Sequence, residues 1–156
     1  MSQPTVSSEA QEWHRQVAMR CNNRAWALSV QSRTPTEDRE MLDAAHTSAW
    51  HWAQVGTELN RMRAAMLLAE VHALLGHGDS ALSFATEMRS YFLNRSDTPD
   101  WELAFTHTIY AHCAYAAGNV EAYRAAHREA TAALAAIAIE EDRQVVAQTF
   151  YQVPAP

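Results

Sequence analysis

Lysine is missing from this chain of 156 residues: all 12 basic residues are arginine, against 18 acidic ones, for a formal charge of −6. No side-chain amine is therefore present for Schiff-base chemistry. The negative balance and the lack of any basic run argue against a nucleic-acid or anionic-membrane partner, because both need clustered cations to neutralise phosphate. Cysteine is nearly missing too. Cys21 and Cys113 are the only two, far apart and without CxxC or Cys/His spacing, so a zinc knuckle or redox motif has no support and both read as packed thiols. Only 4 Gly and 5 Pro leave little room for the turns of a many-stranded β fold. No apolar run reaches the roughly 18 residues of a membrane span. Met1 to Glu12 has neither the charged start nor the apolar stretch of a secretory signal, so the expected location is cytoplasmic.

Catalytic motifs are equally scarce. There is no GxSxG turn, no Gly-rich phosphate loop and no cysteine beside a histidine at a helix start. His112 and Cys113 are adjacent in sequence, which points their side chains about 100° apart on a helix. The sequence assigns no catalytic residue, no metal and no cofactor.

What is present is a helical composition, 48% hydrophobic and 19% charged, with much of the apolar fraction alanine. An all-α domain over residues 1–156 is expected, with 1–7 and 152–156 flexible. A first helix is predicted from about Ser8 to Ser32, with Trp13, Val17, Cys21, Arg24 and Leu28 along one stripe. Thr34-Pro35-Thr36-Glu37 combines a capping hydroxyl, proline in the first turn and an acid three residues after the cap, and so starts a second helix reaching Val55. Gly56 ends it and Thr57 caps a third, apolar on two sides through Leu59, Met62, Met66, Leu67, Ala69 and Val71. His77-Gly78-Asp79 breaks the chain, and Asp79 is expected to cap a fourth helix to about Leu93. Thr98-Pro99-Asp100 starts a fifth, Gly118-Asn119 separates a sixth over Val120 to Ile137, and Asp142 to Phe150 forms a short closing helix. The tail from Val153 to Pro156 is expected to fray.

Two segments match. In His72 to Leu82 and Ala111 to Tyr123, an Ala-rich helix stops at glycine and restarts a few residues later, as in a helical hairpin. Ala69, Gly76, Ala81 and Ala85, then Ala111, Gly118 and Ala122, resemble tetratricopeptide (TPR) repeats, although the second unit is one residue short after its glycine. The resemblance implies six to seven helices in antiparallel hairpins, stacked as an α-α superhelix that binds a protein or peptide in a concave groove. More specifically, His51-Trp52, Gln54 to Thr57, Asn60, Arg63, Leu75-Gly76, Ala81-Leu82, Leu103 to Phe105 and Glu141 to Arg143 resemble a group of bacterial all-helical proteins. That group brings a fold and no activity. Its usual Gly-Glu pair after the arginine is Ala64-Ala65 here, so any role of that glutamate is absent.

Aligning Gly76 and Gly118 with the turn glycine of the TPR pattern puts Arg63, Met66, Glu70 and Ala73 in the groove, with Phe105, Thr108, His112 and Tyr115 from the second unit. If Gly78 is instead the equivalent of Gly118, the set moves to Ala65, Leu68, His72 and Leu75, which is apolar and hardly a site. Asp43, His46, Trp50 and Asn60 are candidates for a secondary pocket wall. The eight histidines raise the question of metal. However, His46/His51, His72/His77 and His107/His112 are each five apart, about 140° round a helix, and cannot chelate as local pairs. Asp43/His46 is the one correctly spaced acid-histidine pair.

The sequence thus points to a non-catalytic protein-interaction or ligand-binding scaffold. Its partner is a protein, a peptide or a small ligand, and a second copy is a candidate through the Trp50/Trp52 region or the last helices. The alternatives are a small enzyme or metal-binding protein using Asp43, His46, Glu70, His107 or His112, and a small-molecule sensor with a closed apolar pocket.

Overall fold

The computed structural model describes residues 6–156 and is all-helical, with α1 (Ser8–Ser29), α2 (Pro35–Val55), α3 (Glu58–Leu74), α4 (Gly78–Leu93), α5 (Asp100–Ala116), α6 (Val120–Ala136) and α7 (Glu140–Phe150). Among the described residues no helix is long and apolar enough to cross a membrane. Met1 to Thr5, part of the segment expected to be flexible, lies outside the described residues.

The helix starts follow local chemistry. Ser7 accepts from the Ala10 N–H, and Thr34 and Glu37 form a reciprocal capping box with Pro35 in the first turn. Thr57 and Asn60 repeat the box at the start of α3, with an amide in place of the acid. Two starts, those of α4 and α7, differ from the sequence reading. α4 begins at Gly78 after His77, without a side-chain cap from Asp79. α5 begins at Asp100, within the predicted start segment, and Thr98 donates its hydroxyl to the Phe92 carbonyl. α7 begins at Glu140, so Glu140, Glu141 and Asp142 together occupy its first turn, where the helix dipole favours acids.

The helices pack in adjacent pairs, α1 with α2, α3 with α4 and α5 with α6. The odd-numbered helices also contact one another in sequence, α1 with α3, α3 with α5 and α5 with α7. α3 is therefore enclosed, and Ala64 to Ala73 is buried without interruption. Alanine makes this close approach feasible: Ala65, Ala69, Ala73, Ala81 and Ala85 form a core with Met66, Met88, Phe92 and Ile109.

The two tight turns are built alike. Gly76 and Gly118 adopt φ of 76° and 74°, the left-handed conformation that glycine takes without strain. The next residue reaches back five positions in each case: His77 N–H donates to His72 O at 2.8 Å, and Asn119 N–H to Ala114 O at 2.9 Å, as in a Schellman C-cap. Gly76 therefore corresponds to Gly118, and Gly78 to Val120. Gly78 serves close approach instead, since a Cβ there would lie 2.4 Å from the Ala116 carbonyl oxygen and 2.7 Å from the Ala117 Cα.

The tail, expected to fray, packs onto α5 and α6 at Val153. Val153 is buried against Ala111, Ala114, Tyr123 and Ala126, and the Tyr123 hydroxyl donates to the Pro154 carbonyl. The apolar residue and the tyrosine anchor a segment whose composition alone suggested a loose end.

Candidate functional site

A cavity of about 460 Å³ lies among the odd-numbered helices. α1 presents Asn22, Trp26 and Ala27, and its C-cap residue Val30 continues the same face. α3 supplies Arg63 and Met66, α5 supplies Trp101, Glu102 and Phe105, and α7 closes one side with Val145, Gln148 and Thr149.

Three aromatic rings shape the apolar wall. Trp26 and Phe105 lie 5.6 Å apart in a tilted arrangement, and Trp101 meets Phe105 edge-on at 6.3 Å. The polar edge is an ion pair across α3 and α5. Arg63 donates from Nε and Nη2 to the two Glu102 oxygens at 2.6 and 3.0 Å, the bidentate geometry that suits guanidinium and carboxylate. Glu102 is sealed, its side chain 2% exposed, whereas that of Arg63 is 41% exposed. The Arg63 guanidinium also sits 5.5 Å from the Trp101 ring centroid. Because Glu102 occupies only one side of the fork, Nη1 remains available to a hydrogen-bond acceptor.

Of the groove residues named from sequence, Arg63, Met66 and Phe105 line this cavity. Glu70, Thr108 and His112 do not: all three are buried between helices. His112 Nδ1 lies 3.1 and 3.0 Å from the two Glu70 oxygens, so the imidazole N–H donates to a carboxylate with no exposed surface. Burial, the largest single influence on His112, works to lower its pKa, but the charge and hydrogen bond of Glu70 together raise it. Tyr115 sits apart, beside Tyr123, Val120 and the tail.

The secondary wall is also dispersed. Asn60 caps α3, Trp50 lies exposed beside His14 and His51, and His46 turns to His72. Asp43 is exposed on α2. Trp26, Trp101, Asn22, Val30, Val145, Gln148 and Thr149 were missed, because the hairpin alignment considers only α3 to α6 and the cavity borrows walls from α1 and α7. The signal within reach was Trp101 and Phe105, four apart on a helix that also carries Glu102.

The histidines pair in an unforeseen way. His46 Nε2 and His72 Nε2 are 2.9 Å apart, and His72 Nδ1 and His77 Nδ1 3.0 Å, with Phe84 stacked on His72. His77 meets His72 although the two are five apart, because α3 ends at Leu74 and the left-handed Gly76 folds His77 back. His72 uses opposite ring nitrogens for its two neighbours, and among the described residues no group of three or more His, Cys, Asp or Glu is placed around one ion. Cys113 is buried, donates to the Ala69 carbonyl at 3.3 Å, and has its thiol pKa pushed up by burial first and Glu70 second.

Burial, followed by repulsion from His46 and His77, lowers the His72 pKa to about 4. The unfolded chain takes up a proton at His72 near its ordinary pKa of 6.5, whereas the folded chain resists until about pH 4, so stability falls as pH drops through that window. We expect a loss of about 1–2 kcal/mol from this group, after allowance for solvent screening. His112 has the opposite sign: its contribution is complete below the ordinary histidine pKa and is lost as pH rises through its raised value. Denaturation curves from pH 7 to pH 4 for the parent and His72→Gln should show a shallower acid slope in the variant. Equal slopes would remove His72 from the account.

Scans against family models, curated proteins and solved structures give no match for this chain.

Proposed function

We propose that the protein is a non-catalytic, ligand-binding helical scaffold, its two glycine-turn hairpins being TPR-like units. Its ligand is a small, planar, largely apolar molecule carrying a hydrogen-bond acceptor. The observation that carries this reading is the cavity of about 460 Å³ in which Trp26, Trp101, Phe105 and Met66 surround the exposed edge of Arg63. Its size falls within the range of small-molecule sites, about 300–1,000 Å³, and its make-up matches them: apolar walls with a few oriented polar groups. The polar groups favour binding over chemistry. Arg63 and Glu102 satisfy each other, so the pair presents a donor edge and no unpaired base.

The probe for the test is anilinonaphthalene sulfonate, a planar aromatic with acceptor oxygens, added to folded protein and followed by its fluorescence. The parent chain is expected to bind it saturably. Val145→Trp, at an exposed position on the cavity rim, should plug the cavity and weaken binding by about tenfold or more, the scale of one lost apolar side-chain contact. Trp13→Ala, on the far part of α1, should bind as the parent does. Equal binding by all three, or none by a cooperatively unfolding parent, would overturn the reading.

A further inference from the structure

A second surface, apart from the cavity and independent of the reading above, is occupied by the chain itself. Val153 seats in a socket formed by Ala111 and Ala114 of α5 with Tyr123 and Ala126 of α6. Three small side chains and one ring make a recess that fits one branched aliphatic residue. Pro154 then follows along the surface, its carbonyl accepting from the Tyr123 hydroxyl.

Beyond Val153 the segment has little holding it. Gln152 and Val153 close turns onto Thr149 and Phe150 through N–H donors at 3.1 Å, whereas Pro154 and Pro156 have no N–H to donate. The surface is also larger than its occupant. Pro154, Ala155 and Pro156 border a cleft of about 540 Å³ with Tyr115, Val120, Tyr123 and Arg124. Tyr115 stays 50% exposed and Val120 56%, with Tyr115 packed edge-on to Tyr123 at 5.2 Å. An aliphatic socket followed by paired tyrosines suits an extended, proline-containing segment. Such a segment is preorganised and makes few backbone hydrogen bonds, so aromatic faces and one or two donors suffice to recognise it.

We propose that this α5–α6 surface docks an extended segment of a partner protein that carries an aliphatic residue followed by alternating prolines, and that Val153 to Pro156 occupies it in cis. The tail acts as a tethered competitor, present at an effective concentration that a free peptide must exceed. A partner segment also gains the Tyr115 and Val120 surface that Val153 to Pro156 leaves exposed.

The test uses the full chain and a fluorescein-labelled synthetic peptide copying residues 149–156, followed by fluorescence anisotropy. Val153→Asp places a charge in the apolar socket and releases the tail without altering the socket itself. The variant is expected to bind the peptide saturably and at least about tenfold more tightly than the parent, whose tethered tail competes. A peptide with aspartate at its valine position should not bind. Adding Tyr123→Phe to the Val153→Asp chain should weaken binding again while the melting temperature stays close to that of Val153→Asp. If Val153→Asp does not unfold cooperatively, a chain carrying Pro154→Gly and Pro156→Gly replaces it, since a more flexible tail competes less well. A folded released variant that binds no peptide would overturn the proposal. So would light scattering that showed the parent chain dimeric and Val153→Asp monomeric, because the tail would then bridge two copies rather than fold back in cis.

Discussion

Replacing His112 by alanine is expected to cost about 3–5 kcal/mol of stability at neutral pH, the usual loss when a buried acidic group is left without its partner. Glu70 has no exposed surface, and His112 Nδ1 is its side-chain partner, at 3.0 and 3.1 Å. Truncating the imidazole leaves a carboxylate without its donor and opens a void between α3 and α5. Replacing the pair together with apolar residues, Glu70→Met with His112→Leu, is expected to recover most of that loss, since the cost of burying both polar groups disappears as well. Urea denaturation of the two single variants and the double one would measure the coupling. A His112→Ala chain within about 1 kcal/mol of the parent would mean that the pair contributes little, contrary to its burial.

Gly78→Ala is expected to have the next largest effect, a loss of about 3 kcal/mol, at the upper end of what overpacking causes. The added methyl would meet the Ala116 carbonyl oxygen at 2.4 Å and the Ala117 Cα at 2.7 Å. Both are backbone atoms of the neighbouring helix end and cannot rotate away as a side chain could. The start of α4 would have to lift from the end of α5. Ser80→Ala, two residues on and exposed, should leave stability within about 0.5 kcal/mol of the parent. Thermal melts of the two variants check the contrast, and a Gly78→Ala chain as stable as Ser80→Ala would show that the helices are not in close contact there.

The helices were legible because their signals are local. Thr34-Pro35 with Glu37, and Thr57 before an apolar run, act through hydrogen bonds three residues apart, and periodicity reports a buried face without knowledge of what covers it. The enclosure of α3 was legible for the same reason, since apolar residues on both its sides leave no face for water. Register was not legible: Gly76 and Gly78 are alike in sequence, and only the backbone conformation separates a left-handed turn from a close approach. Fixing Gly76 against Gly118 also shifts the following helix by one, so that Tyr123, not Ala122, takes the buried position corresponding to Ala81.

The lining of the candidate cavity was legible in part. Arg63, Met66 and Phe105 follow from the hairpin alignment, whereas Glu70 and His112, aligned just as well, turn into the α3–α5 contact and satisfy each other. Polarity suggested a groove; the partner needed to bury both groups lay 42 positions away, beyond any local pattern. The packing of the tail was hidden for a similar reason. Val153 among prolines looks loose until Ala111, Ala114 and Ala126 are seen to leave a socket of its size.

The most direct test of the central claim is an amide chemical-shift map of the folded, isotope-labelled chain titrated with anilinonaphthalene sulfonate. Shifts are expected to concentrate at Asn22 to Val30, Arg63 to Met66, Trp101 to Phe105 and Val145 to Thr149, with Arg63 Nε–H among the movers. Shifts centred instead on Trp13, His14, Trp50 and His51, or saturating binding with none along the α1, α3, α5 and α7 walls, would contradict it.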